Sequence, residues 1–160
     1  MVVHSLYIIN KAGSLMYHHD FIPRPKLDGN DYLRLASAFH AFYVISTQLC
    51  PKPNLPPSGL FIRPDIIHSS FLCVFFSFTG IHVLDTNTFR LCCMQTLTGI
   101  KFWVTADPTD TNLDEILNEA YIAYCDWCLK NPFYELEQII KQNAKFDSAL
   151  NAIVAKYAKK

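Results

Sequence analysis

Two hydrophobic periodicities alternate along this chain, and the order in which they come restricts the fold more than any single motif does. Val2 to Asn10 and Ser14 to Asp20 are β-type runs with the turn glycine Gly13 between them, which predicts an opening β-hairpin. A helical pattern follows Asn30 and stops before Pro51. Its apolar positions are Tyr32, Leu35, Phe39, Phe42, Tyr43, Ile45 and Leu49.

Three more β-type runs and two helical patterns complete the order. The runs are Gly80 to Asp85, Thr88 to Leu97 and Gly99 to Ala106, and their short connections predict an antiparallel meander. Thr111, with Asp114 three residues on, predicts the start of a second helix. The apolar stripe of that helix is Leu113, Ile116, Leu117, Ala120, Tyr124 and Trp127. The third helical pattern has its stripe at Leu136, Ile139, Ile140, Asn143, Phe146, Leu150, Ile153, Val154 and Tyr157.

This order predicts a single α+β domain. One antiparallel sheet covered by helices accommodates two strands, a helix, three strands and two helices. The chain has 160 residues, 51% of them hydrophobic, which is enough for one core. We therefore expect residues 1–160 to form one domain.

The charge of the chain argues against a nucleic-acid partner. Fourteen basic and fourteen acidic residues leave no net charge, whereas a protein that coats nucleic acid needs a positive excess. We also expect a cytoplasmic protein with reduced cysteines. Met1 to Asn10 lacks the pattern of an export signal, and the apolar run from Ile66 to Phe78 is too short to cross a bilayer.

The side chains give little support for catalysis. Cys125 and Cys128 have CxxC spacing, but they come late in a helical pattern beside Asp126, where we expect raised thiol pKa values. A thiol-disulfide oxidoreductase that uses these two cysteines stays as an alternative function. The histidines show no metal-ligand spacing, and Cys92 and Cys93 point to opposite faces of a strand. No catalytic residue, cofactor site or metal site is predicted.

Five strings occur in one order between residues 7 and 134. They are YIINKAG at 7–13, LASAFH at 35–40, QTLTGIKF at 95–102, ADP at 106–108 and LKNPFY at 129–134. In this order they resemble the synbindin family, whose members are longin-like subunits of the TRAPP vesicle-tethering complex. The resemblance implies a five-stranded antiparallel sheet with the first helix on one face and the other two helices on the opposite face.

The resemblance also implies a function. It is that of a non-catalytic core subunit of a TRAPP-type complex that promotes GDP/GTP exchange on a Rab-type GTPase in transport from the endoplasmic reticulum to the Golgi. Other TRAPP subunits and the GTPase are the expected partners, and the complex is expected to associate peripherally with endoplasmic reticulum and cis-Golgi membranes. A small adaptor or coat subunit is the alternative within the same fold. The contacts implied by the matched strings are Gln95, Thr96, Thr98, Gly99, Lys101, Lys130, Asn131, Pro132, Phe133 and Tyr134.

Residues 59–79 depart from the family pattern, and we interpret them as an atypical insertion. Five prolines fall between Pro51 and Pro64, and five phenylalanines fall between Phe61 and Phe78. Removing the segment would join Ser58 directly to Gly80, which resembles the junction of the family. A translated intron, a disordered loop and a genuine insertion that binds a partner all stay open as explanations. The loop from residue 22 to residue 29 is short, whereas animal synbindins carry a PDZ-like insertion there.

Overall fold

The five β-type runs form five strands in the predicted order. The computed structural model describes residues 2–23, 27–49, 80–109, 112–141 and 143–158. The strands are β1 (Val3–Ile9), β2 (Leu15–Asp20), β3 (Val83–Asp85), β4 (Arg90–Gln95) and β5 (Lys101–Ala106). They form one sheet in the order β2-β1-β5-β4-β3, and every pairing is antiparallel. The predicted hairpin and meander are confirmed, while the insertion proposed at residues 59–79 lies outside the described residues.

Three helices cover the two faces of this sheet. They are α1 (Gly29–Leu49), α2 (Leu113–Tyr124), which continues into a π-helical turn at Cys125–Leu129, and α3 (Ala144–Ala158). Since side chains alternate along a strand, Tyr7 and Trp103 pack with α1, whereas Ile8 and Phe102 pack with α2 and α3. The longin-like arrangement, with one helix on one face and two on the other, is confirmed. Within the described residues, no helix combines the length and apolar character needed to cross a bilayer.

The buried face of α1 differs from the predicted stripe. The buried residues are Tyr32, Ala36, Phe39 and Tyr43, whereas Leu35, Phe42, Ile45 and Leu49 are exposed. The helix has two apolar stripes roughly a quarter turn apart, because each residue advances about 100° around the axis. Only one stripe can face the sheet, and the pattern alone does not tell which one it is.

The helices after β5 also begin and end differently from the prediction. Trp127, expected in the core, is half-exposed, because the π-helical turn widens the helix and Cys128 occupies the buried position instead. The third helix starts at Ala144, eight residues after Leu136. Leu136 and Ile139 are exposed in the preceding loop, and Asn143 lies before the helix rather than on its apolar face. Thr111, the predicted cap of α2, lies outside the described residues, and Asn112 precedes the helix without a side-chain capping bond.

Candidate interaction surface

The turn between β4 and β5 is held by its own backbone and by Thr96. The backbone N–H of Thr96 donates to the Ile100 carbonyl at 2.8 Å, and the N–H of Gly99 donates to the Thr96 carbonyl at 3.0 Å. The Thr96 hydroxyl donates to the Ile100 carbonyl at 3.0 Å. Gly99 has a φ of +85°, a conformation that favours glycine. The turn therefore buries Thr96 and presents Leu97 and Thr98 to solvent.

Lys101, at the start of β5, is buried on the face of the sheet that α1 covers. Its Nζ lies 5.0 Å from the centre of the Tyr43 ring and donates to the Gly99 carbonyl at 3.4 Å. Burial lowers the pKa of this ammonium group. Lys101 thus joins the turn to α1 within the subunit. Gln95, which pairs with Lys101 across the turn, is half-buried.

The segment after the π-helical turn is shaped by Asn131. The Asn131 side-chain oxygen accepts from the Phe133 N–H at 3.1 Å, and the Asn131 carbonyl accepts from the Tyr134 N–H at 3.1 Å. This turn leaves Pro132 exposed and the Phe133 side chain 93% exposed. Tyr134 is half-buried, with its ring 6.5 Å from that of Tyr124. Phe133 is consequently presented to solvent by a well-bonded turn.

Lys130 pairs with Asp126 one helical turn earlier. This ion pair raises the pKa of the Lys130 ammonium group. Since both side chains are exposed, the pair adds little stability, and the lysine keeps a positive charge at the border of the segment.

Lys11, in the β1–β2 turn, connects the two predicted contact strings. Its side chain lies against Gly99, and its Nζ lies 2.9 Å from Glu137 Oε1. Glu137 has a φ of 66°, a strained conformation for a residue other than glycine. Residues 10–14, 96–100 and 130–140 therefore form one surface, which we call the loop-end surface. The string at 7–13 contains Lys11, but no sequence signal pointed to Glu137.

Large apolar side chains are exposed on and beside the loop-end surface. An open groove of about 1020 Å³ lies between the segment that follows the π-helical turn, residues 131–141, and the start of α3. Lys145 and Trp127 both line this groove, and the Lys145 Nζ lies 5.6 Å from the centre of the Trp127 ring. The exposed apolar side chains on this side are Trp127, Leu129, Phe133, Leu136 and Ile139.

A second exposed apolar surface lies on α1, which packs on the opposite face of the sheet. It consists of Leu35, Phe42, Ile45 and Leu49, which we call the α1 outer face. Phe42 is 64% exposed, and Leu49 is 77% exposed. These positions, with Ala38, are spaced alternately by three and four residues, the spacing with which one helix packs on another. Exposed apolar side chains grouped in this way are typical of surfaces that contact another protein, a membrane or a ligand.

The sequence matches a known family along nearly its whole length. The profile of the Sybindin-like family matches residues 3–157. The chain belongs to the Sybindin-like family. Among its relatives, "Trafficking protein particle complex subunit 4" of Dictyostelium discoideum is 42% identical over 154 residues, which are 96% of this chain and 97% of that protein.

Two other kinds of relative extend the comparison. The Homo sapiens protein of the same name is 41% identical over 118 residues, 74% of this chain and 43% of that protein. This chain therefore spans less than half the length of that relative. "Trafficking protein particle complex subunit 1" of Dictyostelium discoideum is 24% identical over 143 residues, 88% of this chain and 86% of that protein.

The environment of the CxxC pair is poorly suited to thiol chemistry. Burial, reinforced by the charge of Asp126, raises the pKa of the Cys125 thiol. Burial, with Asp147 nearby, raises the pKa of Cys128 to about 11. Because the thiolate is the reactive form, both cysteines are poor nucleophiles at neutral pH. The expected direction of these pKa shifts is confirmed, with burial as the larger cause.

Proposed function

We propose that this protein is a non-catalytic core subunit of a TRAPP-type tethering complex that promotes GDP/GTP exchange on a Rab-type GTPase in transport from the endoplasmic reticulum to the Golgi. The observation that carries the proposal is the exposure of large apolar side chains on the α1 outer face and beside the loop-end surface of a Sybindin-like subunit. Such surfaces are covered when a subunit is assembled.

Nucleotide exchange suits a subunit that acts through its surface. A protein accelerates GDP release when it binds the nucleotide-free GTPase more tightly than the GDP-bound form. This differential binding requires no acid, base or nucleophile from the subunit. The activity belongs to the complex, and the subunit supplies part of the surface.

In this proposal, the α1 outer face and the loop-end surface bind different partners. The α1 outer face has the spacing of a helix-packing seam, and we assign it to a sister subunit. The loop-end surface presents Thr98, Lys130 and Phe133 from turns fixed by internal hydrogen bonds, and we assign it to a second partner, the GTPase or another subunit. Thr96 and Lys101 act indirectly in this proposal, because their buried side chains hold the turn in shape.

The proposed location follows from assembly. The protein is proposed to be cytoplasmic and to reach the endoplasmic reticulum and cis-Golgi membranes peripherally, through the complex. Fractionation of cells with and without the other subunits tests this point, since loss of the complex is expected to release the protein from membranes.

The experiment compares two α1 variants of the tagged, full-length chain. Phe42→Asp is expected to abolish co-purification of TRAPP-type subunits from native lysate, as identified by mass spectrometry. Leu33→Asp is the matched control, because Leu33 is an exposed apolar residue on the same helix, about half a turn around the axis from Phe42. Leu33→Asp is expected to retain the subunits.

Exchange is then measured with the purified complex and with the isolated subunit. We expect the complex to accelerate GDP release from a Rab-type GTPase and the isolated subunit to leave the rate unchanged. A subunit that accelerates release alone contradicts the non-catalytic role. Capture of coat or adaptor proteins in place of TRAPP-type subunits supports the adaptor alternative and overturns the main proposal.

A further inference from the structure

Three side chains of metal-ligand type converge where the edge of the sheet meets α2. His82 precedes β3, Cys92 lies in β4 and Asp114 lies in the first turn of α2. Cys92 Sγ lies 3.0 Å from Asp114 Oδ1, and His82 Nε2 lies 3.6 Å from the same oxygen. The three ligand atoms all lie within 4.8 Å of one another. Sequence spacing did not predict this cluster, because its members come from three separate elements.

The backbone fixes which nitrogen of His82 faces the cluster. His82 Nδ1 lies 3.1 Å from the Cys93 carbonyl oxygen. Since a carbonyl only accepts, Nδ1 carries the hydrogen, and Nε2 of the neutral ring presents its lone pair. This arrangement, in which a backbone carbonyl orients the ring, is typical of histidines that bind metals. The Cys93 N–H also donates to the His82 carbonyl at 2.7 Å, so backbone and ring are both held.

The lone pair of His82 faces a second acceptor. Either a proton on the ring or a metal ion between His82 Nε2 and the Asp114 oxygen accounts for their approach to 3.6 Å. The Cys92 thiol donates a hydrogen bond to the same Asp114 oxygen, and a metal ion would take the place of that hydrogen. The nearby Arg90 guanidinium is paired with Asp85, with its Nη2 2.9 Å from Asp85 Oδ2, which reduces its repulsion of a cation.

We propose that His82 Nε2, Cys92 Sγ and an Asp114 oxygen bind Zn²⁺. Imidazole, thiolate and carboxylate together are the ligand set of zinc. Bonds of about 2.0–2.3 Å to a tetrahedral ion place ligand atoms roughly 3.3–3.8 Å apart. The 3.6 Å between His82 Nε2 and the Asp114 oxygen lies in this range, whereas Cys92 Sγ, 3.0 Å from that oxygen, has to move outward by about half an ångström when the ion binds. His82 and Asp114 are 40% and 43% exposed, so water takes the fourth position. On binding, the Cys92 thiol gives its proton to solvent and its sulfur bonds the metal.

The ion would fasten the edge of the sheet to the helical layer. β3 has only three residues, all exposed, and among the described strands it pairs only with β4. A metal held by His82, Cys92 and Asp114 connects the segment before β3, β4 and the start of α2. Binding is therefore expected to stabilise the fold in addition to any effect on partners.

Cobalt titration of the full-length chain tests the site. A Cys50→Ser/Cys73→Ser background removes the two thiols outside the described residues. We expect Co²⁺ to produce the near-ultraviolet absorption of a thiolate–cobalt bond and Zn²⁺ to displace it. Cys92→Ser is expected to remove this absorption. Cys93→Ser, which changes the neighbouring cysteine on the opposite face of the same strand, is the matched control and is expected to retain it.

Two variants at half-exposed positions test the proposed Zn²⁺ site if Cys92→Ser does not fold. His82→Gln and Asp114→Asn are each expected to weaken Zn²⁺ binding by about tenfold or more, with the circular dichroism of the folded chain retained. Unchanged affinity in both variants overturns the site. Absence of the cobalt absorption, or its persistence in folded Cys92→Ser, also overturns it.

Discussion

At the scale of single residues, the contact between Gly13 and His40 joins the first hairpin to α1. Gly13 has a φ of +88°, and a Cβ placed there would lie 2.7 Å from the His40 ring. Both the backbone conformation and the space therefore require glycine.

We expect Gly13→Ala to lower the free energy of unfolding by about 1–3 kcal/mol, because it adds backbone strain and a collision with a packed ring. Gly29→Ala is the control, since nothing lies within 4 Å of a Cβ at that position. Its effect is expected to stay within about 1 kcal/mol. Urea denaturation followed by circular dichroism measures both variants, and equal losses would count against this explanation.

His40 also makes stability depend on pH. Burial, with the positive charge of Lys101 nearby, lowers its pKa below the ordinary 6.5. The unfolded chain therefore takes up the proton first as the pH falls. The stabilisation is present above about pH 6.5 and is lost as the pH falls through the pKa of the folded state.

We expect His40→Gln to reduce the fall in urea midpoint between about pH 7.5 and about pH 5.5. Burial lowers the pKa of His18 as well. The double variant His40→Gln/His18→Gln is therefore expected to show a still smaller fall in urea midpoint. An identical fall in the wild type and in both variants would refute the assignment.

At the scale of secondary-structure elements, the start of α3 depends on a cap. The N–H groups of Lys145 and Phe146 donate to the Asn143 side-chain oxygen at 3.2 and 3.4 Å. Asn143→Ala is expected to cost about 1 kcal/mol of unfolding free energy in thermal or urea denaturation. Ser148→Ala, at an exposed position inside the same helix, is expected to be neutral or slightly stabilising. Similar losses in the two variants would exclude capping as the cause.

The same elements indicate how far the sequence predicts the fold. Runs of β-type residues bounded by turn residues located all five strands, because strand propensity and turn signals are local properties of the sequence. The buried face of α1 was not predictable in the same way, since choosing Ala36 over Leu35 depends on contacts with a distant sheet. The loop before α3 was missed because Leu136 and Ile139 keep helical spacing while their side chains are exposed.

The candidate site was predictable to a similar extent. The strings at 95–101 and 130–134 were found by resemblance, and their roles as contacts stay predictions. Their connection through Lys11 and Glu137 and the cluster at His82 depend on tertiary contacts, which no local pattern encodes.

At the scale of the whole molecule, charge is compensated inside the subunit. The acidic α2 and the basic C-terminal helix pack together, and Glu119 pairs with Lys156 and accepts from the Tyr157 hydroxyl at 2.8 Å. Part of the opposite charge of these two helices is therefore neutralised between them. The apolar surfaces are the more distinctive feature of the exterior.

The isolated subunit is expected to self-associate through those surfaces. The double variant Phe42→Asp/Phe133→Asp is expected to raise the monomeric fraction in size-exclusion chromatography, because both side chains are more than half exposed. Its unfolding free energy is expected to change by less than about 1 kcal/mol. A variant that associates as strongly as the wild type would show that other surfaces are responsible.

The loop before α3 has a further consequence for the sheet. β2 lies at one edge, and the Ile140 N–H donates to the Met16 carbonyl of that strand at 2.9 Å. A strand from another molecule could pair with β2 at this position only by displacing this hydrogen bond. The loop that contains Phe133 thus also covers part of the β2 edge and hinders its pairing with a strand of another molecule.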